Sequence, residues 1–141
     1  ALPRQGAAGP VKVAMQRARI VNLSRSTVLA ERAEVASGFL RRGLGLMGRR
    51  DWSRADGLVL DPCSSIHCLF MRLTIDALFV GPDQTVRKAA AAIRPWSLAV
   101  LSPGSRYVVE LPAGTIARTG TARGDRIGLE LLPHPATRSA N

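Results

Sequence analysis

The sequence predicts a mainly β domain: a compact sandwich or barrel of six to eight short strands with one or two short helices. Short apolar runs rich in Val, Ile and Leu recur along the chain, bounded by Gly, Pro, Asp or Ser. Two of them, IDALFV and TVRKAAAAI, flank Gly81-Pro82-Asp83-Gln84, which has turn chemistry and reads as a hairpin. The apolar stretches between Ile66 and Val80 suit strands covered on both faces.

Taken in order, Ala18 to Leu23 reads as a first strand, with a polar turn at Ser24 to Ser26. The run TVLA can pair back as a short second strand. The period then changes: Val35, Phe39 and Leu40 have helical spacing, with Glu31, Glu34, Arg41 and Arg42 on the other faces. Glutamates early and arginines late suit a helix dipole, and Gly43 and Gly45 stop the helix. Gly57 to Asp61 is a strand closed by Asp61-Pro62. After the hairpin, SRYVVEL is a strand. PAGTIARTG reads as a short helix with Pro112 near its first turn and Gly120 past its end. DRIGLELL is the last strand.

Length bounds the organisation. A chain of 141 residues that is 46% hydrophobic fits one globular domain with a modest core. The expected boundaries are a flexible tail over 1–17, one domain over 18–132 and a loose tail over 133–141. Met15 is a plausible internal start. With only 4% aromatic residues, the core must come from Leu, Val, Ile and Ala.

The net charge is +10, nearly all from arginine; the only lysines are Lys12 and Lys88. The arginines are scattered, with no basic block, no aromatic interleaving and no nucleic-acid motif. That makes nucleic acid a poor candidate partner. No apolar run approaches the ~20 residues that span a bilayer. The N-terminal residues lack a charged-then-apolar signal pattern. A cytoplasmic location is therefore the default, although an export signal already removed would leave no trace.

The densest chemistry lies in CSSIHCLFMRLTID, from Cys63 to Asp76. If Ile66 to Met71 is a strand, His67 and Cys68 face opposite sides. Cys63 shares the parity of His67 but lies roughly 13 Å away in extended chain. Zinc needs donors within ~2.0–2.3 Å, so these residues do not form a metal site within a regular strand. No cofactor or structural metal is expected. A Cys–His nucleophile needs a base in reach and an orienting group. Asp76 supplies a carboxylate only if the chain folds back at Arg72 to Thr74. The competing reading makes the cysteine a small core residue. Asp76 then caps a loop or pairs with Arg72 or Arg42, because an unpaired buried carboxylate is costly.

RGLGLMGRR, CSSIHCLFMRLTIDALFV and VVELPAGTIARTGTARGDRI, in this order, resemble an uncharacterised prokaryotic family, domain of unknown function 192. The resemblance covers roughly Ala18 to Leu132. It implies a compact, mainly β sandwich-like domain. Its recurring positions fall on Arg42, Gly45, Leu46, Met47 and Arg49, on Met71, Ile75 and Asp76, and on Glu110, Leu111, Gly114, Gly124 and Asp125. Thr74 stands where the family often has proline. His67 matches a histidine of one branch only, and Cys68 stands where that branch has Thr or Ser. The resemblance implies no activity.

Gly45, Gly114 and Gly124 read as turn residues. Met47 and Met71 suit core filling or an adaptable groove. Arg42, Arg49, Asp76 and Glu110 form either a structural ion-pair network or a polar pocket. These residues point to a small non-catalytic binding or assembly domain. Its expected groove involves Arg42, Met47, Arg49, His67, Met71, Asp76 and Glu110 and takes a peptide, a protein or a small anionic ligand. The catalytic constellation is incomplete, which leans away from an enzyme. The alternatives are a hydrolase using His67 with Asp76 or Glu110, and nucleic-acid binding through the arginine surface.

Overall fold

A computed structural model describes residues 16–37, 52–66, 73–95 and 100–133. The strands are β1 Gln16–Asn22, β2 Thr27–Ser37, β3 Leu58–Asp61, β4 Ser65–Ile66 and β5 Ile75–Val80. They continue with β6 Val86–Ile93, β7 Val100–Leu101, β8 Tyr107–Pro112 and β9 Ile127–Leu131. One helix, α1 Thr115–Thr119, follows β8. The mainly β expectation holds.

Seven strands form one curled sheet in the order β6-β5-β8-β3-β2-β1-β9, and β4 pairs with β7 apart from it. All ladders are antiparallel except β2 with β3, where Glu34 to Ser37 run beside Leu58 to Asp61. The two edge strands meet at one corner. Thr85 bridges Arg126, the Val86 amide donates to the Asp125 carbonyl, and the Ile127 amide donates to the Gln84 carbonyl. The sheet is thus a barrel joined at that corner, and the segment from Pro112 to Arg126 runs between its edge strands.

The curl gives the sheet an inside and an outside. Ile20, Leu29, Val59, Leu78, Val80, Val109, Leu111 and Ile127 fill the interior. Leu58, Leu60, Ile75, Phe79 and Val108 form a second cluster on the outer face, with Trp52, Cys63 and Leu73 against it. All six residues of β5 are buried because its alternating side chains serve both clusters. Each such large side chain contributes about 1.5–3 kcal/mol.

The hairpin expected around Gly81 to Gln84 forms, with β5 and β6 antiparallel. Gln84 closes the turn at φ 68 and its amide donates to the Gly81 carbonyl at 3.0 Å. Tyr107, buried in the interior, donates its hydroxyl to the Gln84 Oε1 at 2.7 Å. Burial, then the negative charge of Asp61, pushes that phenol well above its usual pKa, so it stays a donor.

Two expectations change. Residues 31–37, read as the start of a helix, are strand. Glu31 and Arg32 together oppose Arg19, since Ala18 pairs with Ala33 and Ile20 with Ala30. This bulge breaks the period of two and leaves Ala30, Ala33 and Ala36 buried at a spacing of three. The pattern mimics a helix face, but Val35 is held by Gln16 on one side and Val59 on the other. Phe39, Leu40, Arg41 and Arg42 lie outside the described residues. Pro112, expected in the first turn of the helix, instead ends β8, paired with Ile75. Of the strand expected over Ile66 to Met71, only the start is described, as β4.

Candidate functional site

Asp76 is the second residue of β5, and its side chain points to the interior. It pairs with Leu111, an interior residue, while its neighbour Ala77 pairs with Glu110. It is 1% exposed. Burying a carboxylate is costly unless hydrogen bonds replace its water. Here Oδ2 accepts the amides of Gly114 at 3.1 Å and Ile116 at 2.8 Å, and Oδ1 accepts the amide of Ala92 at 2.9 Å. Gly114 has φ 96, a conformation that favours glycine, and precedes α1. Ala92, at φ 53, sits in a second bulge, where Ala91 and Ala92 together oppose Asp76. One carboxylate therefore anchors the start of α1 and the bulge of β6. The described partners are backbone amides; Arg42 and Arg72, the cations expected to pair with it, lie outside the described residues.

Asp125 holds the other end of the same segment. Its Oδ2 accepts Asn22 Nδ2 at 2.9 Å, Arg25 Nε at 2.6 Å and the Ala122 amide at 3.0 Å. Asn22 also donates to Thr121 Oγ1 at 3.1 Å, and its Oδ1 accepts the Arg25 amide. Burial alone would raise the Asp125 carboxyl pKa. The bonds from Asn22, Arg25 and Ala122, with the charge of Arg25, outweigh it and hold the pKa below the usual carboxylate range. The motif residues Asp76 and Asp125 thus pin the two ends of the segment that carries α1.

Glu110 takes the other face. It pairs with Leu58 and Ala77, both in the outer cluster, and is 4% exposed. Asp76 and Glu110 are therefore on opposite faces of the sheet, and one groove does not hold both. Beside the outer face, Arg106 Nε meets Asp61 Oδ1 at 3.0 Å in an exposed pair. Cys63 donates its thiol to the Ser65 carbonyl at 2.8 Å. The remaining expected groove residues, Arg42, Met47, Arg49, His67 and Met71, lie outside the described residues, as does Cys68.

Among the described residues no three His, Cys, Asp or Glu side chains gather as they would around a metal ion. No described helix is long and apolar enough to cross a membrane. Sequence reasoning missed Asn22, Arg25 and Thr121 as partners of Asp125. It also missed Asp56, whose two oxygens accept the Glu31 amide at 2.7 Å and the Arg32 amide at 2.8 Å, satisfying the bulge of β2. The available signal was an Asn closing an apolar strand just before a polar turn, a position that favours side-chain bonds to turn amides.

The model of the DUF192 family, described as "Uncharacterized ACR, COG1430", matches residues 20–129. A UPF0127 protein of Thermococcus sibiricus is 30% identical over 116 residues, covering 79% of this chain and 75% of its own. A UPF0127 protein of Pyrococcus furiosus is 29% identical, covering 77% of this chain and 95% of its own. A crystal structure from Sinorhizobium meliloti, described as a putative transcription regulator, superposes with a TM-score of 0.71. It is 31% identical and covers 86% of this chain and 98% of its own. A protein of unknown function from Novosphingobium aromaticivorans shares the fold, with a TM-score of 0.68 at 24% identity, covering 79% of this chain and 83% of its own.

Proposed function

We propose that this chain, which belongs to the DUF192 family, works as a non-catalytic binding or assembly domain. Its binding surface is the outer face of the barrel around Glu110. The reading rests on one observation. Of the two motif carboxylates expected to border a groove, Asp76 faces the interior and accepts three backbone amides, whereas Glu110 takes the outer face, beside Leu58 and Ala77 of the outer cluster. In this proposal Arg42, Met47, Arg49, His67 and Met71 complete the surface, and Asp76 supports it from the other side of the sheet. The ligand is a peptide, a protein segment or a small anionic molecule that the arginines would hold.

Nothing favours the hydrolase alternative: Asp76 already accepts three backbone amides, and Glu110 lies on the opposite face of the sheet. Nor does anything favour groove reading of nucleic acid: the described helix has five residues, too short to carry side chains along a major groove.

Thermal-shift screening of the chain against metals, nucleotides, sugars and peptides tests the proposal. A ligand at 100 times its dissociation constant stabilises the fold by about 2.7 kcal/mol. The expected result is a hit that Arg42→Ala or Met47→Ala/Met71→Ala abolishes while the variant stays folded. A hit that survives both changes places the binding surface elsewhere.

A further inference from the structure

The segment from Gly114 to Asp125 runs between the two edge strands, and it is attached by a different chemistry from the rest of the barrel. Its buried residues ahead of Asp125 are Thr115, Thr119 and Thr121. Ile116 is its one aliphatic side chain larger than alanine, and it is only partly buried. Thr119 donates its hydroxyl to the Thr115 carbonyl at 2.8 Å and shares a hydrogen bond with Thr121 at 2.7 Å. Thr121 in turn accepts from Asn22. A large buried apolar side chain contributes more than the net gain of one hydrogen bond. A segment held through hydroxyls therefore falls at the low end of local stability, where lids and binding loops are found.

The two ends of the segment are unequal. At the Gly114 end, Asp76 takes the Gly114 and Ile116 amides deep inside the barrel. At the other end, Asp125 makes its bonds to Asn22, Arg25 and Ala122 through one oxygen, Oδ2. The Arg25 side chain is 44% exposed, so water and salt compete for it. Arg25 also reaches over the segment, with Nη1 3.5 Å from where a Cβ on Gly120 would stand. The same end carries an unmet hydrogen bond. Thr27 is the cross-strand neighbour of Asn22, and its Oγ1 is buried with no partner among the described residues. A buried hydroxyl left unpaired is costly, and opening this end gives it water.

We propose that this segment is a hinged lid on the barrel, opening from its Asp125 end. Asp125, Asn22 and Arg25 form the latch, and Asp76 keeps the Gly114 end in place as the hinge. Residues 117–123 move, while the corner bonds of Val86 to Gly124 and Asp125 stay. Opening uncovers the interior wall of the barrel at Asn22 and Thr27. The proposal does not depend on the Glu110 face, and its variants leave that face untouched.

The test is native-state amide hydrogen exchange of the full chain, read by NMR with urea added below the unfolding transition. Gly120 is the reporter: its amide donates to the Ile116 carbonyl, which no variant below removes. Leu78 and Val109, fully buried in β5 and β8, report global unfolding. In the native chain Gly120 should exchange at least about tenfold faster than they do and with little urea dependence, because an opening lid exposes little surface. Asp125→Asn and Arg25→Gln weaken the latch, whose bonds are absent both from the open lid and from the unfolded chain. Each should therefore speed Gly120 and the core amides by the same factor, about tenfold for Asp125→Asn and about threefold for Arg25→Gln. Asp76→Asn weakens bonds that the open lid keeps, so it should speed the core amides and leave Gly120 within about twofold of its native rate. Gly114→Ala, a milder change at the same end, should do the same. Latch variants that speed the core but not Gly120 overturn the proposal, because the helix would then fray with the latch closed. A Gly120 that exchanges only with the core overturns it too. So does a Gly120 that Asp76→Asn or Gly114→Ala speeds as much as the core, since the hinge would then break with the latch.

Discussion

Asp76 and Asp125 hold the two ends of one segment, yet they do it by different means. Asp76 sits inside a fully buried strand, and its partners among the described residues are main-chain amides, those of Ala92, Gly114 and Ile116. Asp125 sits in a turn and binds one amide, one amide side chain and one guanidinium. The first arrangement is indifferent to the identity of its partners, since any residue offers an N–H, and depends on backbone shape. The second depends on Asn22 and Arg25, which come from the far end of the chain, and so joins the β1–β2 hairpin to the closing corner. A carboxylate among amides sets a local conformation; a carboxylate among side chains locks a tertiary contact.

The sharpest way to break this contrast is to remove each acid in turn. Asp76→Ala leaves three amides without their acceptor in a buried site. At roughly 1–3 kcal/mol for each unsatisfied group, the loss should be at least about 3 kcal/mol by urea denaturation. Asp76→Asn should recover only part of this, because its NH₂ would face donors. Asp125→Ala should cost less, about 2 kcal/mol, because Arg25 is half-exposed and turns to water when its partner is gone. A larger loss at Asp125 than at Asp76 would reverse the comparison.

Gly114 separates backbone shape from hydrogen bonding at the Asp76 end. No atom lies within 4 Å of where its Cβ would stand, so Gly114→Ala meets no clash. Its φ of 96 still penalises any side chain, and the expected loss is about 1–2 kcal/mol. A neutral result would show that the loop relaxes and that Asp76 does not enforce it.

The smallest expected effect is the pH dependence at the other end. The Asp125 pKa is lowered in the fold, so its contribution is fully present above the unfolded value of about 3.9. It fades as pH falls through the lower folded value. The gap in urea midpoint between the native chain and Asp125→Asn should hold constant from pH 8 to 5 and shrink below pH 4. A gap that closes near pH 6 would mean that another group controls the lock.

The sequence could announce some of these features and not others. The hairpin across Gly81 to Gln84 was legible because its turn chemistry and its flanking runs are both local. The helix at Thr115–Thr119 was legible from Gly120, although its start was not. The strand over 27–37 was misread past its first residues because a bulge reset its period, and nothing within eleven residues reveals a bulge that Asp56 stabilises from another loop. The same limit applies to the site. Asp76 and Glu110 both stood out as members of one ion-pair network or polar pocket, but only the pairing of β5 with β8 places them on opposite faces.

Composition and period alone determined a mainly β fold packed with aliphatic residues, since strand alternation and turn chemistry act over a few positions. They also determined that Asp76 needed partners, since an isolated buried charge is too costly in any fold. What those partners are was decided by tertiary structure. Curling the sheet brought Gln84 to Val86 beside Gly124 to Ile127 and set the segment between them on two aspartates. Hydrogen bonds between residues a hundred positions apart, such as Asn22 to Asp125, depend on how far the sheet curls, and no local pattern encodes that.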